Sequence, residues 1–146
     1  MGIIDIPILD QRRHGGEGQG VKLNWDKCPA YSSKKEYKKI IISSTSLMMF
    51  EEENEKKIRE IYHKIRFPIF GTDCYAYGLM LSGKIDMIIE ENMKPWDYLA
   101  QVALIDEQGG IITDWDGKKL GLKSDGKIIA SIEKNHHKKT LEYLKK

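Results

Sequence analysis

Phe70-Gly-Thr-Asp-Cys-Tyr-Ala-Tyr-Gly78 and Gly83-Lys-Ile-Asp-Met-Ile-Ile-Glu-Glu-Asn-Met-Lys-Pro-Trp-Asp97, running on to Gly109-Gly-Ile-Ile-Thr113, decide how this chain is read. Gly71-Thr72 reads as a turn and an N-cap, with Asp73 well placed against the positive end of the helix that follows. That helix runs to about Leu81 and stops at Ser82-Gly83, where Gly83 supplies the position after the cap. Residues 85–89 read as a strand ending on Glu90. Pro95 is a natural first helical residue. The second helix, residues 96–108, turns Leu99, Val102, Ala103 and Leu104 inward and closes at Gly109-Gly110. A helix start, a strand and another helix start thus follow one another on very short connections. Each junction carries a polar or acidic residue: Thr72 and Asp73, then Glu90, then Asp97. In an α/β layer, strand ends and helix starts are where ligands bind.

Downstream, residues 111–113 form a strand, 114–117 a turn, 127–132 a last strand and 135–144 an amphipathic helix. Upstream, Phe67 to Phe70 is a brief strand, and residues 51–65 carry Ile58, Ile61, Tyr62 and Ile65 at helical spacing. Ile40-Ile41-Ile42 suits a buried strand, followed by a hydroxyl-rich turn over residues 43–46. The chain opens on a strand over residues 2–9, interrupted by Asp5 and by Pro7, which confines it to an edge or a strand end. Residues 14–20 are glycine-rich. They lack the spacing of a phosphate loop leading into a helix, so a hairpin tip is expected, with 21–25 as the returning strand. The order is an extended part to about residue 35, then β-α-β-α-β-α-β-β-α. Such alternation predicts an α/β layered fold with strands packed between helices.

The 146 residues suffice for a real core, and a net charge of +2 gives no reason to expect nucleic acid or an anionic membrane as partner. The lysine clusters near residues 34–39, 118–123 and 138–146 read as solvated surface. No apolar run is long enough to span a membrane, and the first residues do not form a signal peptide. Cys28 and Cys74 lack metal-type spacing, and free thiols in a reducing cytosol are the simplest account, so a cytoplasmic protein is expected.

Spacing alone leaves the junction acids open. Asp97 suits the helix dipole, with metal ligation as the alternative; one Asp cannot build a Mg²⁺ site, which needs several oxygen donors. Glu90 is a solvated strand terminus or a crevice residue, and Asp73 an ordinary first-turn acid. Cys74, Tyr75 and Tyr77 read as packing residues, and His136-His137 as tail residues without partners. Asp86 and the pair Asp114 and Asp116 read as strand-entry and turn residues.

Lys94-Pro-Trp-Asp97-Tyr-Leu-Ala-Gln-Val-Ala-Leu-Ile-Asp-Glu-Gln-Gly-Gly110-Ile-Ile-Thr-Asp-Trp-Asp-Gly117 resembles the long C-terminal signature of the inositol monophosphatase family, W-D-x-A…E-A-G-G…T-D-x-D-G, with departures at Leu99 and Gln108. Gly71-Thr-Asp-Cys-Tyr-Ala-Tyr77 and Gly2-Ile-Ile-Asp-Ile-Pro7 are similar to segments of the histidinol-phosphate phosphatases within it. The resemblance implies the layered sugar-phosphatase fold, with residues 1–35 as the end of an N-terminal α+β sheet and residues 36–146 as the C-terminal α/β domain.

It also implies Mg²⁺-dependent hydrolysis of a small phosphate monoester: histidinol phosphate to histidinol and phosphate, as in histidine biosynthesis, or an inositol phosphate or 3′-nucleotide. Asp97 matches a metal-ligand aspartate and Glu90 a substrate-contacting glutamate. Gly71, Thr72 and Asp73 match the helix start that lines the substrate pocket, with Asp73 as partner of the cationic amine or imidazole of histidinol. The family's G-E-E and D-P-x-D-G-T segments, which hold most of the metal ligands and position the attacking water, do not occur in this sequence. The resemblance therefore gives no catalytic residue to this chain. It implies the C-terminal part of a longer enzyme, inactive alone and a homodimer when complete. A non-catalytic remnant or assembly subunit is the reading from another class.

Overall fold

The computed structural model describes residues 1–29 and 34–145. Strands β1 (Gly2–Ile6), β2 (Gln11–Gly16), β3 (Gly20–Leu23) and β4 (Asp26–Lys27) form an antiparallel sheet in the order β1-β2-β3-β4. Pro7 ends β1, an edge strand, and the glycine-rich residues turn the β2–β3 hairpin, as expected. The rest alternates: β5 (Ile41–Ser44), α1 (Glu52–Tyr62), β6 (Phe67–Phe70), α2 (Asp73–Leu81), β7 (Met87–Glu90), α3 (Pro95–Glu107), β8 (Ile111–Thr113), β9 (Ile128–Ser131) and α4 (Lys134–Leu144). Its five strands lie in the order β6-β5-β7-β9-β8. Strand β5 runs parallel to β6 and β7, whereas β9 runs antiparallel to β7 and β8, so the sheet is mixed.

The period of two sorts the central strands between two apolar clusters. Met87, Ile89 and Ile129 pack with Ile58 and Ile61 of α1 and Leu144 of α4. Ile88, Ile128 and Ala130 pack with Ala76, Tyr77 and Met80 of α2 and Tyr98, Leu104 and Ile105 of α3. Both faces are covered, which is why β7 and β9 read as unbroken apolar runs. Ile4 of β1 and Val21 of β3 join the second cluster from the far side of α2 and α3. Those two helices are therefore held between two sheets. Contact is close enough that any Cβ at Gly2 would run into the Ala100 carbonyl.

The double packing corrects the reading of α3. Its buried face is Tyr98, Gln101, Leu104 and Ile105, with Leu99 and Val102 half-buried beside it. A helix with one covered face follows a single stripe, but one between two sheets buries a second. Gly83 and Gly109 take positive φ, 71° and 81°, at the ends of α2 and α3, as expected of helix terminators. Ser43 and Ser44 belong to β5 rather than to a turn. No helix among the described residues is long and apolar enough to cross a membrane.

His136 and His137 have partners, contrary to the expectation of a solvated tail. Both are buried, because α4 packs along the sheet instead of trailing from it. The ring of His136 bonds the Lys35 carbonyl through Nε2 at 2.8 Å, and His137 Nε2 meets Thr113 Oγ1 at 2.9 Å. Burial pushes His137 down to about 4.

An unfolded histidine titrates near 6.5, so the unfolded chain binds more protons between the two values. The contribution of neutral His137 is fully present above about pH 6.5 and is lost as pH falls toward about 4. Urea unfolding across this interval is expected to show a steeper pH dependence for the parent than for His137→Gln. Equal slopes would refute the assignment.

Candidate active site

The exits of β5 and β6, the start of α2, the end of β7 and the start of α3 converge. The Gly71 amide donates to the Thr45 carbonyl at 3.0 Å, tying the β6 exit to the β5 exit. Contrary to the expectation from sequence, Thr72 does not cap α2 with its side chain; its Oγ1 bonds Ser43 Oγ at 2.8 Å. A strand-end serine within reach outcompetes the first-turn amide. Asp73, the first residue of α2, sits in the left-handed region at φ 42°. Non-glycine residues there carry strain, and such strain gathers at functional sites.

Asp97 is the third residue of α3, and its Oδ2 accepts the Lys94 amide at 2.8 Å. It thus caps the helix start, as the dipole reading requires. A carboxylate has acceptor capacity beyond that one bond, and Asp97 lines the adjoining cleft.

Glu90, at the end of β7, is buried: 1 % of its surface is exposed. It is neither a solvated strand terminus nor part of the cleft wall. Its Oε1 accepts Thr45 Oγ1 at 2.7 Å and its Oε2 accepts the Tyr77 hydroxyl at 2.6 Å. Burial raises its carboxyl above the usual range; the Tyr77 and Thr45 bonds oppose this, and the charges of Asp73 and Asp97 add to it. Burial, then the charge of Glu90, hold Tyr77 well above an ordinary phenol, so it keeps its proton and donates it inward.

The cleft encloses about 360 Å³. Thr45 lines it from the β5 exit; Asp73, Cys74 and Tyr77 from α2; Met93, Trp96, Asp97 and Gln101 from the α3 side. No Lys, Arg or His is among these residues. Two carboxylates on the wall, with a third beneath it, adjoin a partly apolar space that none of the described basic residues lines. A dianionic phosphate is repelled from such a wall unless a cation accompanies it.

Oxygen donors of this kind suit a hard cation such as Mg²⁺, which takes one or two carboxylates and keeps waters or phosphate oxygens. Among the described residues, no three His, Cys, Asp or Glu side chains converge as a metal site. The chain therefore fits as the source of one carboxylate ligand, Asp97, and not of a full ligand set.

A larger hollow of about 400 Å³ lies on the antiparallel sheet beside Asp5, Arg12 and Trp25. There Arg12 bonds Asp5 at 2.9 Å, and Asp10 adds a second carboxylate to the lining.

Sequence reasoning missed Thr45, Met93, Trp96 and Gln101 as wall residues and took Cys74 for packing, although it is exposed. Tyr77 is a core residue as read, and also the partner of Glu90. A signal for two of them existed. Tyr77 follows Asp73 by four residues and Gln101 follows Asp97 by four, the spacing that shares a helix face.

The profile of the inositol monophosphatase family matches residues 1–146. "Bifunctional phosphatase IMPL2, chloroplastic" of Arabidopsis thaliana is 36% identical over 156 residues, covering 99% of this chain and 43% of that protein. "Histidinol-phosphatase" of Chlorobaculum parvum is 30% identical over 59 residues, covering 40% of this chain and 23% of that protein. The solved structure of an inositol monophosphatase from Zymomonas mobilis superposes with a TM-score of 0.93 at 29% identity, covering 99% of this chain and 56% of that one. The chain thus spans about half the length of such relatives.

The strain at Asp73 is open to a direct test. Asp73→Ala and Asp73→Gly both remove the carboxylate, but only glycine relieves the backbone. The glycine variant is expected to be more stable than the alanine variant by about 1 kcal/mol in urea unfolding. Equal stabilities would exclude strain there.

Proposed function

Because this chain belongs to the inositol monophosphatase family, we propose that it supplies one wall of the active site of a Mg²⁺-dependent phosphomonoesterase acting on histidinol phosphate. The observation that carries the reading is the cleft with Asp73 and Asp97 on its wall, Glu90 beneath, and no basic residue lining it. Such a wall favours a cationic alcohol, and histidinol carries an ammonium and an imidazole. The names of the Arabidopsis and Chlorobaculum relatives agree with a phosphatase, and the second with this substrate.

Asp97 would hold the metal through a carboxylate oxygen while capping the start of α3. Bound Mg²⁺ supplies polarisation of the phosphate, a water nucleophile and stabilisation of the leaving alkoxide. Asp73 pairs with the cationic group of the alcohol and orients it. Glu90 fixes Thr45 and Tyr77, and so the shape of the wall between β5 and α2. Gly71 and Thr72 set the approach to Asp73. In this reading residues 1–35 complete an N-terminal sheet and residues 36–146 form the C-terminal α/β domain. The missing metal ligands come from polypeptide bearing the G-E-E and D-P-x-D-G-T segments, and the complete enzyme is a dimer. Free Cys28 and Cys74 fit a reducing compartment.

A second reading, hydrolysis of an inositol phosphate, draws on the Zymomonas structure. Phosphate release from both substrates separates the two. The purified chain with Mg²⁺ is expected to release none, and addition of the complementing segments to restore turnover on histidinol phosphate. In that assembly Asp97→Asn should cost on the order of 100-fold with either substrate, as loss of metal affinity does. Asp73→Ala should lower kcat/KM at least about tenfold, or 1.4 kcal/mol, for histidinol phosphate only. Equal losses on both substrates would overturn the cationic substrate. Release by the chain alone, abolished in Asp97→Asn, would overturn the need for outside ligands.

A further inference from the structure

Trp96 is the second residue of α3 and is 80 % exposed, yet its backbone stands at a rigid point. Pro95 precedes it as the first helical residue, and Asp97 after it bonds the Lys94 amide at 2.8 Å. A tryptophan buries a large apolar area when covered, so leaving one in water forgoes much stabilisation. Trp25 is also exposed, at 91 %, but the hollow it lines contains Arg12 and His14 beside its acids. Trp96 instead shares the cleft with Asp73 and Asp97, and no Lys, Arg or His is among the lining residues. An aromatic face next to carboxylates is an arrangement that recognises an organic cation.

We propose that Trp96 is a specificity-determining residue whose indole face receives the planar, protonated ring of the alcohol moiety while Asp73 pairs with its charge. The ligand class is an alcohol bearing an imidazolium or similar flat cation. This rests on the reading of the cleft as a site for a cationic phosphate ester, and it adds the residue that distinguishes a ring from a bare ammonium. The cleft volume of about 360 Å³ is at the small end of ligand pockets, enough for one such ring and a short chain. Tyr77 and Met93 form the apolar wall near the indole.

The test needs neither metal nor turnover. Trp25→Phe removes the other exposed indole and leaves Trp96 and the buried Trp115 as reporters. This chain is titrated with histidinol, with ethanolamine, which has the ammonium and lacks the ring, and with myo-inositol, while tryptophan emission and calorimetric heats are followed. Histidinol is expected to change the emission saturably, and ethanolamine to leave it unchanged. Trp96→Leu should weaken histidinol about five-fold, the size of a stacked cation contact, and Trp96→Phe should recover most of that loss. Asp73→Asn should weaken both amines.

Histidinol binding unchanged in Trp96→Leu overturns the proposal and leaves the substrate reading intact. Binding of myo-inositol without histidinol overturns both. No saturable binding of either amine at millimolar concentration overturns the role of Trp96 in this wall, and the substrate panel above then decides the reading independently. Concentration-dependent association that shifts Trp96 emission without ligand also overturns it, because the indole would then be covered by a second copy.

Discussion

A carboxylate taken out of water at the end of a central strand must be met by donors from the elements around it. Glu90 is met by the Thr45 hydroxyl from the β5 exit and by the Tyr77 hydroxyl from the interior of α2. An uncompensated buried charge is costly, and hydrogen bonding to the charged form is what offsets it. The β5–α2–β7 corner is therefore drawn together by one side chain. Removing either hydroxyl leaves a buried acceptor short of a partner. Removing the carboxylate instead frees Thr45 and Tyr77, which are also wall residues of the cleft. Stability at this corner and the shape of the cleft cannot be varied separately.

The same burial has an electrostatic consequence. Asp73 and Asp97 both raise the cost of ionising Glu90. Asp73 and Asp97 line the cleft and Glu90 lies beneath it, and each has a local role. Asp97 caps α3, Asp73 stands at the positive end of α2 and Glu90 holds two hydroxyls. A cation beside Asp73 and Asp97 would lower the cost of ionising Glu90.

Most of the fold was legible because it follows from period and punctuation. The alternation of helices and strands after residue 36, Pro95 at the first helical position and the two terminating glycines all appear where local rules place them. The misses are tertiary. The second sheet buries a further face of α3 and brings Gln101 inside. Packing of α4 on the sheet gives His136 and His137 their partners. Ser43 takes Thr72 away from its expected capping bond. At the site, Asp73 and Asp97 were visible as acids at helix starts, but no pattern along the chain places Thr45 beside Glu90, which lies 45 residues away. Nor does the left-handed φ of Asp73 show in its identity, since the turn before it already has Gly71 to absorb such a bend.

Comparison of the cleft with the hollow on the antiparallel sheet shows why charge, more than size, marks the candidate site. The hollow on the antiparallel sheet is slightly larger and contains Asp5, Asp10, Arg12 and His14 as well as a tryptophan. Arg12 donates to both oxygens of Asp5, at 3.2 and 2.9 Å, and Asn24 binds the Asp10 carbonyl and the Arg12 amide. Those bonds occupy Asp5, Arg12 and Asn24, so a ligand would have to break them to gain these groups. In the smaller cleft, Gln101 is buried with its Oε1 unpartnered among the described residues, and no Lys, Arg or His is among the lining residues. Binding there satisfies groups that folding left unsatisfied. That difference in stored interaction free energy, with the cleft set at the strand ends and helix starts of the α/β sheet, is the physical content of calling one hollow a site and the other a surface feature.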